Sequence, residues 1–273
     1  IMNFYYSHGR TALKYGLKYL KLKKNDKVLL PEYICDVVLD PINELGIIPV
    51  YYKINENFLC DLKDIKKKIN NKVKALIFVN FFGFKDDNKE LRNFCKKKKI
   101  YIIEDNCHSL YSKNNKIKSD LIFYSPRKII DQINCGGILK INLKSNKILN
   151  LSTNLKEYNL GFIETFKKFI NINFPNLKRL LKSKLFKEPK LDKINFIKNI
   201  KLKDDFVIDN DSKNILKSIN LHSLKKQRLN NFYFWQNIFK KSKNAQLIKR
   251  QLNKNSIPWV FPVYISNPKL RSK

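Results

Sequence analysis

The sequence lacks any run of about 18 apolar residues, the length a helix needs to cross a bilayer, so no transmembrane helix is expected. The opening stretch, Ile1 to Arg10, lacks the charged-then-apolar pattern of a secretory leader. There is no Cys-x-x-Cys pair. The five cysteines (Cys35, Cys60, Cys95, Cys107 and Cys135) are odd in number, which argues against a disulfide framework or a zinc site. A reducing, cytoplasmic compartment is the expectation. No internal repeat and no low-complexity linker interrupts the chain. It opens on Ile1-Met2 and stops at Asn267-Pro268-Lys269-Leu270-Arg271-Ser272-Lys273 without an obvious closing element, so it reads as a piece of a longer protein.

Acidic residues and arginine are both scarce. Asp and Glu total 23 against 56 Lys and Arg, giving a net charge of +33, and only seven of the basic residues are arginine. A charge of this size raises nucleic-acid binding as an alternative function. The aromatics argue against it. They make up 12% of the chain but sit in apolar segments such as Phe78 to Phe84, which is core placement and not a stacking platform between basic residues. The run Lys96 to Lys99 falls at a helix end, where positive charge suits the macrodipole. The hydrophobic fraction of 43% is that of a folded protein.

What is present is a regular alternation. Helices are expected over Thr11–Leu20, Cys35–Leu45 (kinked at Pro41 and ended by Gly46), Leu62–Ile69 and Asn88–Lys98. Strands are expected over Lys27–Leu30, Ile47–Ile54, Lys74–Phe82, Ile100–Glu104, Leu121–Tyr124 and Gly137–Ile141. This pattern predicts an α/β fold, a mostly parallel sheet with helices on both faces. Later the pattern loosens. Lys167–Lys187 is basic and amphipathic around Pro175, Ser212–Lys241 reads as mostly helix, and Trp259–Tyr264 as a strand. The expected division is a large domain over 1–205 and the start of a smaller, incomplete C-terminal domain over 206–273.

Parallel sheets collect ligands at the carboxyl ends of their strands. The residues at those ends are Pro31-Glu32-Tyr33, Asn80-Phe81-Phe82-Gly83, Asp105-Asn106-Cys107-His108 and Ser125-Pro126-Arg127-Lys128. Asp105 at such a mouth is poorly solvated and calls for a cationic partner, although a helix cap is the ordinary use of such an aspartate. Lys128 would be desolvated there, which pushes an amine toward the neutral, nucleophilic form that Schiff-base chemistry needs. Otherwise it is one more solvated lysine. Ser7-His8-Gly9-Arg10-Thr11 opens a helix with a small, hydroxyl-bearing turn, the makings of a phosphate cradle. Two of the rare arginines, Arg10 and Arg127, lie beside these candidate anion sites, and arginine grips phosphate with a bidentate fork that lysine cannot copy. A lysine, an aspartate and a phosphate turn together meet the needs of pyridoxal 5'-phosphate.

Five segments in order resemble the DegT/DnrJ/EryC1/StrS sugar-nucleotide aminotransferases, within the aspartate-aminotransferase-like, fold-type I enzymes. They are Gly9-Arg10-Thr11-Ala12-Leu13, Lys27-Val28-Leu29-Leu30-Pro31, Gly46-Ile47-Ile48-Pro49-Val50, Ile103-Glu104-Asp105-Asn106-Cys107-His108, and Lys128 followed by Gly136-Gly137. The resemblance implies Lys128 and Asp105 as catalytic residues. It implies Gly9, Arg10, Thr11, Tyr33, Cys35, Asp105, His108, Ser125 and Lys128 as the pyridoxal phosphate site, with no metal. The chain departs from the family at Arg10, where threonine is common, and at Phe123, where serine is common. That makes Ser125 the expected phosphate hydroxyl, and leaves the stacking residue open between Tyr33 and Cys35.

The implied activity transfers an amino group from an amino acid, by resemblance glutamate, to a keto-sugar linked to a nucleotide. The family's dehydratase branch replaces the lysine by histidine, which this chain does not. A homodimer and a role in polysaccharide synthesis are further implications, and no membrane partner is expected. A lyase or desulfurase of the same superfamily would want a mobile cysteine beyond the large domain, and none follows Cys135. A degenerate homologue that binds the cofactor without turnover is the remaining alternative.

Overall fold

The computed structural model describes residues 2–86, 88–111, 119–143, 155–159, 205–252 and 255–267. The amphipathic segment expected over 167–187 lies outside them.

Apolar residues on both faces of the strands set the architecture. In strand β2 (Lys27–Pro31), which follows β1 (Met2–Tyr6) and α1 (Gly9–Tyr19), Val28 and Leu30 face one core and Leu29 faces the other. Such a strand is stable only when helices cover both sides. The chain supplies them in turn: α2 (Leu39–Glu44), β3 (Ile48–Tyr52), α3 (Leu62–Lys68), β4 (Val73–Val79), α4 (Lys89–Lys97) and β5 (Tyr101–Asp105). Leu13 and Leu17 of α1 and Ile42 of α2 fill the first core, and Ile65 of α3 and Leu91 and Cys95 of α4 fill the second. Short strand β6 (Ser109–Tyr111) leads to β7 (Leu121–Tyr124) and β8 (Gly137–Ile141).

Among the described residues the large sheet has nine strands in the order β3-β2-β4-β5-β7-β8-β1-β10-β9, where β9 is Lys156–Glu157 and β10 is Phe206–Val207. From β3 to β7 the pairing is parallel; β8 runs antiparallel between β7 and β1. Strand β1 therefore points the same way as β7, and its carboxyl end joins the other strand ends at one edge.

Several expectations shift. The expected helix over 35–45 is a 3-10 turn at Asp36–Val38 followed by α2, so the break precedes Pro41, which sits harmlessly in the first helical turn. Gly46 does adopt φ +65°, the left-handed value that ends a helix. The helical stretch expected over 212–241 divides into α5 (Asn210–Ser218) and α6 (Leu221–Phe239). The side chain of Asn220 caps α6 by accepting from the N–H groups of His222 and Ser223. The single strand expected over 259–264 is instead two. β12 (Ser256–Pro258) pairs with β6, and β13 (Val263–Ile265) pairs with β11 (Ala245–Leu247). Trp259 to Pro262 link them and carry no ladder.

The β6–β12 pairing ties residue 256 back to the strand ends of the large sheet. The Ser256 hydroxyl donates to the Gly83 carbonyl at 2.9 Å, and the Trp259 N–H donates to the His108 carbonyl at 3.3 Å. Gly83 has φ +96°, and a Cβ there would sit 3.1 Å from the Pro258 Cα. Glycine at this point allows the two segments to close.

Candidate active site

A cavity of about 390 Å³ opens where the strand ends meet. That is within the usual range for small-molecule sites, roughly 300–1,000 Å³. His8, Gly9 and Arg10 line it after β1, Tyr33 and Cys35 after β2, Phe81 and Phe82 after β4, Asp105, Cys107 and His108 after β5, and Ser125, Arg127 and Lys128 after β7. Of the nine residues expected to form the site, eight lie on this wall. Thr11 is the exception; its side chain is fully buried in the first turn of α1.

Asp105 ends β5 and is 5% exposed. Its Oδ1 accepts the Cys107 N–H at 2.8 Å, an Asx-type turn. No helix follows among the described residues, so the aspartate is not a helix cap. Burial raises its pKa above the ordinary carboxylate value, opposed by the Cys107 hydrogen bonds and by the charge of Lys128. A buried carboxylate on a cavity wall, with only part of its hydrogen-bonding capacity met, suits a cationic group placed inside.

Behind Asp105 the sheet is held by a polar network. The Asn80 amide donates to Glu104 Oε1 at 2.7 Å and also to the Asn106 side chain. The Ser119 hydroxyl donates to Glu104 Oε2 at 2.8 Å, and Arg92 donates to Ser119 at 2.8 Å. These hydrogen bonds hold Glu104 and Asn106, the residues flanking Asp105, on both sides.

Lys128 comes at the end of a 3-10 turn, Pro126–Lys128, whose first position is proline and so loses no hydrogen bond. Its ammonium lies 4.8 Å from the centre of the Trp259 ring.

The cavity wall also carries groups suited to an anion. Helix α1 begins there, with Gly9 at its first position and Ala12 N–H making the first internal bond, to His8 O at 3.0 Å. The N-terminus of such a helix attracts negative charge. The Ser125 hydroxyl group and the guanidinium groups of Arg10 and Arg127 line the same cavity. Any side chain at position 9 would crowd it: a Cβ would lie 3.1 Å from Cys107 Sγ and 3.4 Å from Ser125 Cβ. The Gly136-Gly137 pair has an equally direct reason. A Cβ on Gly137 would fall 2.0 Å from the His8 carbonyl oxygen, and Gly136 N–H donates to Ser7 O at 2.6 Å. The double glycine lets β8 press against the turn that starts α1.

Both histidines of the cavity are neutral. Burial, then Arg127 and Arg10, lowers the His8 pKa to about 4; burial, then Lys128, lowers that of His108 to about 4. The His108 ring stacks on Phe82 at 5.7 Å and lies 5.0 Å from Trp259.

Sequence reasoning left several residues of the wall out of the expected cofactor site. Phe81 and Phe82 were named among the strand ends, but they lay in an apolar run read as core. Phe78, Phe81 and Phe84 are all buried, and Phe81 and Phe82 line the cavity, where Phe82 adopts φ +57°. Phe123, noted only as a departure, is 1% exposed and also lines it. His8 carried no signal beyond preceding Gly9. Trp259 comes from a segment 131 positions after Lys128, and only the β6–β12 pairing brings it there.

A mostly parallel sheet with helices on both faces thus brings a lysine, a buried aspartate and a helix N-terminus to one cavity. Residues 5–119 match the model of the DegT/DnrJ/EryC1/StrS aminotransferase family. A GDP-perosamine synthase of Vibrio cholerae is 32% identical over 100 residues, 36% of this chain and 27% of that protein. A 3-oxo-glucose-6-phosphate:glutamate aminotransferase of Bacillus subtilis is 23% identical over 196 residues, 64% of this chain and 44% of that protein. The chain thus spans less than half of these relatives. Among solved structures, the aminotransferase PseC of Helicobacter pylori superimposes with a TM-score of 0.65 at 16% identity, covering 100% of this chain and 67% of that one. NtdA of Bacillus subtilis, solved with bound cofactor PMP, gives 0.64 at 19%, covering 100% and 56%. These structures share the fold.

Proposed function

We propose that this chain is the cofactor-binding part of a pyridoxal-phosphate-dependent aminotransferase that converts a nucleotide-linked keto-sugar to an amino-sugar. The observation that carries the reading is the placement of Lys128, Asp105 and Gly9, the first residue of α1, on one cavity. The donor set fits the cofactor: an amine for its aldehyde, a buried carboxylate for its ring nitrogen, and a cationic, hydrogen-bonding turn for its phosphate.

When bound, pyridoxal 5'-phosphate supplies an electron sink and a carrier for the amino group. Lys128 would hold it through its amine, and that amine would serve as the base that takes and returns the proton at the substrate carbon. Asp105 keeps a proton on the ring nitrogen. Gly9, Arg10, Thr11 and Ser125 orient the phosphate, with Thr11 limited to its backbone. Tyr33, Cys35 and His108 border the ring, and Phe81, Phe82 and Phe123 exclude water beside it. The amino donor is glutamate. The sugar-nucleotide assignment rests on relatives such as the GDP-perosamine synthases of Vibrio cholerae and Escherichia coli O157:H7. Relatives also include GDP-4-keto-6-deoxy-D-mannose 3-dehydratases, and the retained lysine favours transamination over that reaction. A cytoplasmic homodimer completes the reading.

The test is a half-reaction. The chain loaded with pyridoxal phosphate is mixed with L-glutamate, and loss of the bound cofactor's visible absorption is followed. The parent bleaches and Lys128→Ala does not. Bleaching of the variant at the parent rate would refute the assignment.

A further inference from the structure

Two contacts from the C-terminal region converge on Lys128, and the family match, which ends at residue 119, covers neither. The first is the Trp259 ring, whose centre is 4.8 Å from the Lys128 ammonium. The second is Arg228 on α6, whose guanidinium donates at 2.6 Å to the carbonyl of Ile129, the residue after Lys128. Ile129 is 1% exposed, so no water competes for that carbonyl.

Neither contact is loose. Trp259 follows directly on β12, which is paired residue by residue with β6, and its own N–H is bonded to His108. Helix α6 packs against β12, and Leu221 and Leu224 of its first turns join Ile257, Ile129 and Ile130 in one apolar cluster. The amine and the backbone of the Lys128 turn are thus each fixed by a different element, and both elements lie more than 90 residues further along the chain.

We infer that Trp259 and Arg228 are positioning residues for Lys128: the indole face holds and shields the amine, and the guanidinium holds the turn that carries it. A cation over an indole face is attracted to it, more so when partly desolvated. The inference deepens the proposed function and rests on Lys128 being the reacting amine.

Competitive acetylation tests it without any cofactor. The chain is treated with limiting acetic anhydride, and labelling at each lysine is read by peptide mass spectrometry. Lys14 is the internal control. It is 2% exposed and paired with Glu44 at 2.5 Å and Asp205 at 2.6 Å, so its labelling rises only if the fold loosens. Trp259→Leu is expected to raise the Lys128-to-Lys14 labelling ratio two- to fivefold. Trp259→Phe, which keeps an aromatic face, gives a smaller rise. A ratio unchanged in both variants overturns the role of Trp259.

For Arg228, borohydride trapping of pyridoxal phosphate is the second reading. Arg228→Met is expected to lower the yield of adduct on Lys128 at least threefold, and Arg228→Lys, which keeps one donor, to recover more than half of it. Equal yields in all three proteins overturn the role of Arg228. If the parent itself forms no adduct on Lys128, the proposed function fails, and the positioning inference fails with it.

Discussion

The cavity has two kinds of wall. One is made by residues that follow β1, β2, β4, β5 and β7, each within seven residues of its own strand. The other is Trp259, delivered by a three-residue strand from far along the chain. The first wall is set by local sequence and by the two-sided core that fixes the strands. The second depends on a seam, β6 with β12, that is held by few residues. The first carries the groups that would do chemistry, and the second governs how one of them, Lys128, is presented.

Four substitutions would break or sharpen this contrast. The largest effect is expected at the first wall. Gly137→Ala places a methyl group 2.0 Å from the His8 carbonyl, a backbone atom that cannot give way. Overpacking costs about 1–3 kcal/mol and more where backbone must move. At roughly 2–4 °C per kcal/mol, a cost of about 3 kcal/mol lowers the thermal midpoint by about 6–12 °C. A parent-like midpoint would mean that the turn before α1 is not clamped by β8.

The seam comes next. Ile257 is fully buried in the cluster that joins β12 to the Lys128 turn. Ile257→Ala should cost about 2–5 kcal/mol of unfolding free energy in urea. It should also raise acetylation of Lys128 above that of Lys14. A loss of stability without that selective change would show that the second wall does not act on Lys128.

Asp105→Asn separates stability from binding. A carboxyl whose folded pKa is raised lends stability below about pH 3.9, the ordinary value, and loses it as pH rises through the folded value. At pH 7 the parent without cofactor therefore carries an unfavourable buried charge. The asparagine variant should show the higher urea midpoint at pH 7, with the gap closing toward pH 4, while its affinity for pyridoxal phosphate falls. A lower midpoint at pH 7 would mean that the carboxylate is stabilised in the empty cavity.

The smallest effect concerns acid. His8 and His108 are held neutral with pKa values near 4 against an ordinary 6.5. Stability is fully present above 6.5 and is lost as pH falls toward 4, because the unfolded chain takes up protons that the folded one refuses. His108→Gln should flatten the fall in urea midpoint between pH 6.5 and 4. An unchanged slope would place the acid sensitivity elsewhere.

The same contrast explains what the sequence made legible. Strands β7 and β8 match their expected bounds, because a buried apolar run between polar turns leaves little choice. Lys128 and Asp105 could be found because ligand sites in such sheets follow strand ends, and Gly9 because a small, hydroxyl-bearing turn opens a helix there. Strand β1 was missed: Met2–Tyr6 is short and aromatic, and its place between β8 and β10 is set by partners more than 130 residues away. Trp259 was hidden for the same reason. Local pattern reports what a segment buries, not which distant segment it meets. Phe81 and Phe82 show the remaining difficulty, since an aromatic that lines a cavity and one that fills a core look alike until the backbone turns.

The most direct measurement is the site of covalent capture. The chain is incubated with pyridoxal phosphate, reduced with borohydride, digested and mapped. The account predicts a pyridoxyl group on Lys128 far in excess of any other lysine, and its loss in Lys128→Arg. Adducts spread evenly over the many lysines, with Lys128 no more modified than its neighbours, would contradict it.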